Sequence, residues 1–133
     1  MAETFGRSEL ARRLAKSPRV EREWDFVKDI NGMLVRGSID LWFEENGEAV
    51  LVDYKTDDVP AAEAIERAGR YNSQLALYAL ALDRKTRAGY LHFLRPNVVV
   101  EVPLDTPALE EARDLVLKVR EAQNARASTM GFE

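Results

Sequence analysis

Two aspartates and a lysine sit where a β-strand has least use for charge. Asp40 interrupts the run Gly37-Ser38-Ile39-Asp40-Leu41-Trp42-Phe43, and Asp53 closes the apolar run Val50-Leu51-Val52. Side chains two apart in a strand share a face, so Asp53 and Lys55 project together while Tyr54 turns the other way. If Asn46-Gly47 folds the chain into a hairpin, Asp40 and Asp53 lie at nearby levels and converge. Two convergent carboxylates beside an ammonium suit a hard divalent cation such as Mg²⁺, which takes one or two carboxylates and completes its shell with water and a substrate phosphate. Such an ion polarises the phosphate and acidifies a bound water. A lysine two residues on orients that water, takes its proton or stabilises charge developing at phosphorus. By spacing alone, a salt bridge among the three at a sheet edge is the simpler reading, because D-x-K by itself is a weak pattern.

The elements that must position these residues follow from periodicity and turn chemistry. Ser8 is placed to cap a short helix reaching about Lys16, with Leu10 and Leu14 on one face and Pro18 just beyond. Arg19 to Val27 reads as a charged strand at an edge, Asn31-Gly32 as a turn, and Met33 to Glu44 as a long strand. Ala49 to Lys55 is short and mostly apolar, as a central strand covered on both faces must be. Pro60 suits a first helical turn, and Ala61 to Ala68 is rich in helix formers. Gly69 breaks the helix, and a second run from Arg70 to about Arg84 carries Leu75, Ala79 and Leu82 at helical spacing. Arg87 to Arg95 is another strand, ended by Pro96-Asn97, with Val98 to Val102 as its hairpin partner. Thr106 is the expected cap of a last helix, with Pro107 at its first position and Leu109, Ala112, Val116 and Val119 as its buried stripe. The resulting order, α-β-β-β-α-β-β-α, predicts an α/β fold with a mixed sheet flanked by helices.

The 133 residues suit a single domain, and an apolar fraction of 46% with 32% charged residues is that of an ordinary globular chain. No apolar run is long enough to span a bilayer, which leaves the cytoplasm as the expected location. Cysteine is absent, so a disulfide framework, a cysteine-ligated zinc and an iron–sulfur cluster are all excluded. The single histidine, His92, cannot build a histidine-based metal site alone. The net charge of −4 argues against tight stand-alone binding of nucleic acid, although bound cations reverse the field of a carboxylate site. Arg7, Arg12, Arg13, Lys16, Arg19 and Arg22 cluster near the start and read as the solvated face of a helix and its exit.

A wider pattern changes the balance. Gly37-Ser38-Ile39-Asp40, Asp53-Tyr54-Lys55-Thr56-Asp57 and Gln74-Leu75-Ala76-Leu77-Tyr78 occur in that order. Together they resemble the signature of RecB-like nucleases of the PD-(D/E)XK superfamily, particularly the domain at the C-terminus of AddA-type, UvrD/Rep-class helicases. The resemblance runs from about Glu21 to Arg95 and implies a restriction-endonuclease-like fold. By it, Asp40 and Asp53 would be metal ligands, with the backbone carbonyl of Tyr54 a third, and Lys55 the catalytic lysine. Gln74 and Tyr78 would form the family's Q-x-x-x-Y motif, and their spacing of four places both on one helical face. The implied ion is Mg²⁺ or Mn²⁺, and the implied substrate is DNA.

The same resemblance implies a module, spanning 1–133 with a helix within 1–18 and a frayed tail at 124–133, cut from a larger helicase–nuclease. Its partners would be helicase domains of the same polypeptide and a partner nuclease or helicase subunit. It would act as an exonuclease on single-stranded DNA during double-strand-break repair. The chain departs from many relatives in having no histidine on its first helix, and His92 on a late strand reads as structural. Glu23 aligns loosely with an acidic position of relatives, but a charged edge-strand residue is the plainer reading. Tyr71 and Tyr90 read as packing residues. Two alternatives stand beside the leading one: a catalytically incomplete remnant that binds DNA or a partner, and a stand-alone restriction or junction-resolving endonuclease.

Overall fold

In a computed structural model, which describes residues 4, 5 and 7–129, six strands form one mixed sheet with helices on both faces. In chain order the elements are β1 (Thr4–Phe5), α1 (Arg7–Ala15), β2 (Val20–Ile30), β3 (Met33–Glu45), β4 (Glu48–Lys55), α2 (Ala64–Ala68), α3 (Asn72–Leu82), β5 (Thr86–Phe93), β6 (Val98–Val102) and α4 (Thr106–Thr129). The sheet runs β1-β6-β5-β4-β3-β2. Only the central pair, β4 and β5, is parallel, because the chain between them crosses over through α2 and α3. The hairpin turns lie where Asn-Gly predicts them: Asn31 and Gly32 have φ of 51° and 81°, and Asn46 and Gly47 of 54° and 79°.

Several boundaries differ from the sequence reading. The charged strand continues three residues past Val27, pairing with β3 as far as Ile30 and Met33. The short strand β1, which pairs with β6, has too few residues to show any periodicity. Ser8 lies inside α1 rather than at its cap. Asp105, not Thr106, caps α4: its carboxylate accepts the Ala108 N–H at 3.1 Å and its carbonyl the Leu109 N–H at 3.0 Å. The helix also continues past Gln123 to Thr129. Val119, assigned to the buried stripe, is 39% exposed. The predicted helix Ala61 to Ala68 starts as a 3₁₀ turn, Ala61–Glu63, with Pro60 at its N-cap.

The sheet divides the core in two. On one face Leu10 of α1 covers Leu41, Phe43, Val50, Val52, Ala88, Tyr90 and Val99. On the other, α2, α3 and α4 bury Ile39, Trp42, Leu51, Leu91, Phe93 and Val100 beneath Ala64, Leu75, Ala79 and Ala112. Strand β3 contributes Ile39 to the second core and Leu41 to the first, so its two-residue alternation fails between them. The failure coincides with a gap in the β2–β3 ladder, which pairs Arg22 with Leu41 and Trp24 with Ile39 but skips Glu23 and Asp40. Glu23 takes φ of 51° there, a left-handed conformation uncommon for glutamate. Asp40 shares the α3 face with Trp42, two residues on, and the interruption brings Ile39 to that face as well.

Candidate active site

The β3–β4 register pairs Leu41 with Val52, and one further step sets Asp40 opposite Asp53. The Asp40 carboxylate accepts the backbone N–H of Tyr54 at 2.8 Å, which fixes it against the end of β4. Asp53 is 6% exposed, on the same face as the apolar residues Ala49 and Leu51. Burial first, and then its contact with Asp40, push the Asp53 carboxyl up to about 6, with Lys55 pulling in the opposite direction. The Lys55 ammonium lies 2.7 Å from Asp53 Oδ2. It also donates to Gln74 Oε1 at 2.8 Å, linking the end of β4 to α3.

Tyr78 lies one helical turn beyond Gln74. Burial, followed by the charges of Asp53 and Asp40, raises the Tyr78 phenol above its ordinary value, and a hydrogen bond with Gln74 opposes the rise. Its ring meets Phe26 edge-on at 5.5 Å. A Cβ built on Gly37 would stand 2.6 Å from Phe26 Cζ and 3.1 Å from Tyr78 Cε1. Glycine at that position therefore lets the Phe26 ring cross the strand and abut the site. All five residues singled out for chemistry, Asp40, Asp53, Lys55, Gln74 and Tyr78, are brought together on one face of the sheet.

The other singled-out residues fall elsewhere. Tyr54 turns its side chain to the opposite face, 5.7 Å from the His92 ring, and His92 is buried with Nε2 3.1 Å from Asn97 Oδ1. Glu23 is exposed. Of the basic cluster, Arg13 is held by both oxygens of Glu45 at 2.9 and 2.7 Å and donates to Tyr90 Oη at 2.7 Å, so Tyr90 is more than packing. Arg19 pairs with Glu21 at 3.0 Å and lies over the Trp42 ring.

Tyr71, read as packing, touches the site directly. Its ring centroid is 4.1 Å from Lys55 Nζ, and its hydroxyl donates to Asp57 Oδ2 at 2.8 Å. A sequence signal for this existed: Tyr71 stands three residues before Gln74 and seven before Tyr78, the spacing of a single helical face.

The donor set fits a hard divalent cation. Two carboxylates face each other from neighbouring strands, one held up to about 6 by burial and by the other carboxylate, and a bound cation relieves that kind of crowding. Among the described residues no cluster of three or more His, Cys, Asp or Glu side chains accompanies them. An ion there would rely on two carboxylates, backbone oxygen and water, a set typical of Mg²⁺.

Comparison with known proteins agrees with this geometry. The family model described as the PD-(D/E)XK nuclease superfamily matches residues 1–133. Over 118 residues the chain is 31% identical to an ATP-dependent helicase/nuclease subunit of Clostridium kluyveri, covering 74% of this chain and 9% of that protein. Over 96 residues it is 37% identical to the protein of the same description from Alkaliphilus metalliredigens, covering 62% of this chain and 8% of that protein. The chain thus spans less than a tenth of the length of either relative. The crystal structure of SSO0001 shares the fold, with a TM-score of 0.50 at 19% identity over 83% of this chain and 56% of that one. A whole-length family match, together with a mixed sheet whose paired aspartates and lysine meet a glutamine from the crossover helix, places this chain in the PD-(D/E)XK nuclease superfamily.

Proposed function

We propose that this chain is a metal-dependent deoxyribonuclease module that hydrolyses phosphodiester bonds in single-stranded DNA. The observation that carries the reading is the convergence of Asp40, Asp53 and Lys55, with Lys55 held by Gln74. Asp40, Asp53 and the Tyr54 carbonyl would hold Mg²⁺ or Mn²⁺, and the ion, when bound, would supply the charge that polarises a scissile phosphate and acidifies water. Lys55 orients the attacking water and stabilises charge developing at phosphorus, and Gln74 keeps its ammonium in place. Tyr78 walls the site and excludes water behind the carboxylates.

The match to small parts of much longer helicase/nuclease subunits supports a setting within such a polypeptide. Motor domains of that polypeptide would deliver a single strand, working with a partner subunit in exonucleolytic processing of broken DNA. Such delivery accounts for a net charge of −4 on a DNA-cutting module. No helix among the described residues is long and apolar enough to cross a membrane.

The test is cleavage of end-labelled single-stranded DNA with Mg²⁺ or Mn²⁺. Asp53→Ala and Lys55→Ala are each expected to abolish it, and activity surviving both would defeat the assignment. The absence of a three-residue ligand cluster among the described residues favours one competing reading, a remnant that binds DNA without cutting it. Titration calorimetry separates the two: the nuclease binds Mn²⁺ in a manner lost in Asp40→Ala and Asp53→Ala, and the remnant does not.

A further inference from the structure

Lysine carries three N–H donors on a flexible stem, and its use in catalysis depends on where the ammonium is held. Among the described residues, three groups meet the Lys55 ammonium. Asp53 Oδ2 lies at 2.7 Å, Gln74 Oε1 at 2.8 Å, and the Tyr71 ring centroid at 4.1 Å. The first two are hydrogen-bond acceptors, and the third presents the electron-rich face of an aromatic ring. Each wall comes from a different place: β4 itself, the first turns of α3, and the 3₁₀ turn Gly69–Tyr71 that precedes α3.

The ring is itself clamped. Tyr71 Oη lies 2.8 and 3.0 Å from the two Asp57 oxygens, and Asp57 Oδ2 also accepts from Arg67 Nη1 at 3.0 Å. Asp57 stands two residues beyond Lys55, on the segment leaving β4. One end of the tyrosine therefore grips the loop after the strand while its face meets the ammonium at the strand's end. A residue kept only for packing would need neither contact. The turn at Gly69 delays the start of α3 until Asn72 and ends on Tyr71, seating it at the mouth of the site.

We propose that Tyr71 is a positioning residue for Lys55, its ring forming the third wall that keeps the ammonium between Asp53 and Gln74, and its hydroxyl holding the ring through Asp57. The proposal rests on the nuclease reading for its effect on rate, and on geometry alone for its effect on Lys55. It assigns separate jobs to the two ends of one side chain. Removing the hydroxyl loosens the clamp but leaves the face; removing the ring takes away the wall.

The experiment compares Tyr71→Phe and Tyr71→Leu in the 133-residue chain, with two readouts. In steady-state cleavage of single-stranded DNA, Tyr71→Leu should lower kcat on the order of tenfold, the loss expected of a partly desolvated cation–π contact, and leave KM nearly unchanged. Tyr71→Phe should restore most of kcat even though both variants lose the Asp57 hydrogen bond and some thermal stability. The second readout needs no activity. In ¹³C-lysine spectra, the Lys55 Hε protons should be displaced upfield by the ring in the wild type and in Tyr71→Phe, and should return to the ordinary lysine position in Tyr71→Leu; Lys55→Arg identifies the signal. An unshifted Lys55 signal in the wild type overturns the proposal, as does a folded Tyr71→Leu variant with wild-type kcat or equal kcat losses in the two variants. If the wild-type chain cuts no DNA but the Hε signals behave as stated, the nuclease reading fails and the placement of Lys55 by Tyr71 stands.

Discussion

Gly37→Ala should harm this protein far more than a one-carbon change in a strand normally does. Gly37 pairs with Phe26 across the β2–β3 ladder, and an added Cβ would stand 2.6 and 2.9 Å from two atoms of the Phe26 ring and 3.1 Å from Tyr78 Cε1. The first two distances are shorter than real Cβ contacts, so the ring must move. It cannot swing freely, because it also packs against the Tyr78 ring with centroids 5.5 Å apart. Overpacking of this kind costs about 1–3 kcal/mol. Replacing glycine also restricts the unfolded chain, which offsets roughly 0.4–1 kcal/mol of that. From the middle of each range the net loss is about 1.3 kcal/mol, equivalent in a domain of this size to a Tm lower by roughly 5 °C. Thermal denaturation with two optical probes measures it. The steric origin is checked by repeating Gly37→Ala in the Phe26→Leu background, where its cost should largely vanish, because neighbours sharing a clash are non-additive. Activity should fall in the single variant, since Tyr78 is pushed with the ring, and recover in the double. Unchanged Tm for Gly37→Ala, or equal costs in both backgrounds, would refute the reasoning.

Two further outcomes follow from local geometry. Asp105→Ala should destabilise by about 1 kcal/mol through loss of the α4 cap, while Thr106→Ala should cost little; chemical denaturation of the pair decides which residue does the capping. The Glu45 carboxyl is held below its ordinary 4.5 chiefly by its hydrogen bond from Arg13. Its stabilising effect is therefore complete above the ordinary glutamate value and is lost as pH falls through the lower folded value, so the wild type should lose stability more steeply on acidification below pH 4.5 than Arg13→Ala does. Parallel slopes in denaturant titrations at each pH would contradict this.

Much of this architecture was legible because its signals are local. Asn31-Gly32 and Asn46-Gly47 adopt positive φ and leave the chain few options other than tight hairpins. The hairpin then sets Asp40 opposite Asp53, and the spacing of four brings Gln74 and Tyr78 to one face. What escaped was either too short or decided by tertiary contact. Strand β1 has two residues, so no pattern could announce it. Asp105 and Thr106 are both good caps, and only the observed hydrogen bonds choose between them. Tyr71 was missed because an aromatic at the head of an apolar helix resembles core, and its contacts come from residues 14 positions or more earlier. The gap in the ladder at Glu23 and Asp40 follows from no residue's propensity. It arises where one ribbon serves two cores.

The parts of the site also lie close together along the chain, which bears on the order in which they assemble. Asp40 reaches Tyr54 across 14 residues and Lys55 reaches Gln74 across 19, whereas β1 meets β6 across most of the chain, Thr4 pairing with Val100. Closing a short loop loses less chain entropy and occurs sooner than joining distant segments. A two-residue turn can therefore bring the aspartates together as soon as β3 and β4 pair, before β5, β6 and α4 arrive to cover the sheet. Lys55 stands beside Asp53 on the same strand, and its ammonium gains Gln74 when the crossover helix docks. The acidic half of the centre thus depends on one local hairpin, and the elements that shelter it are joined to it by longer connections.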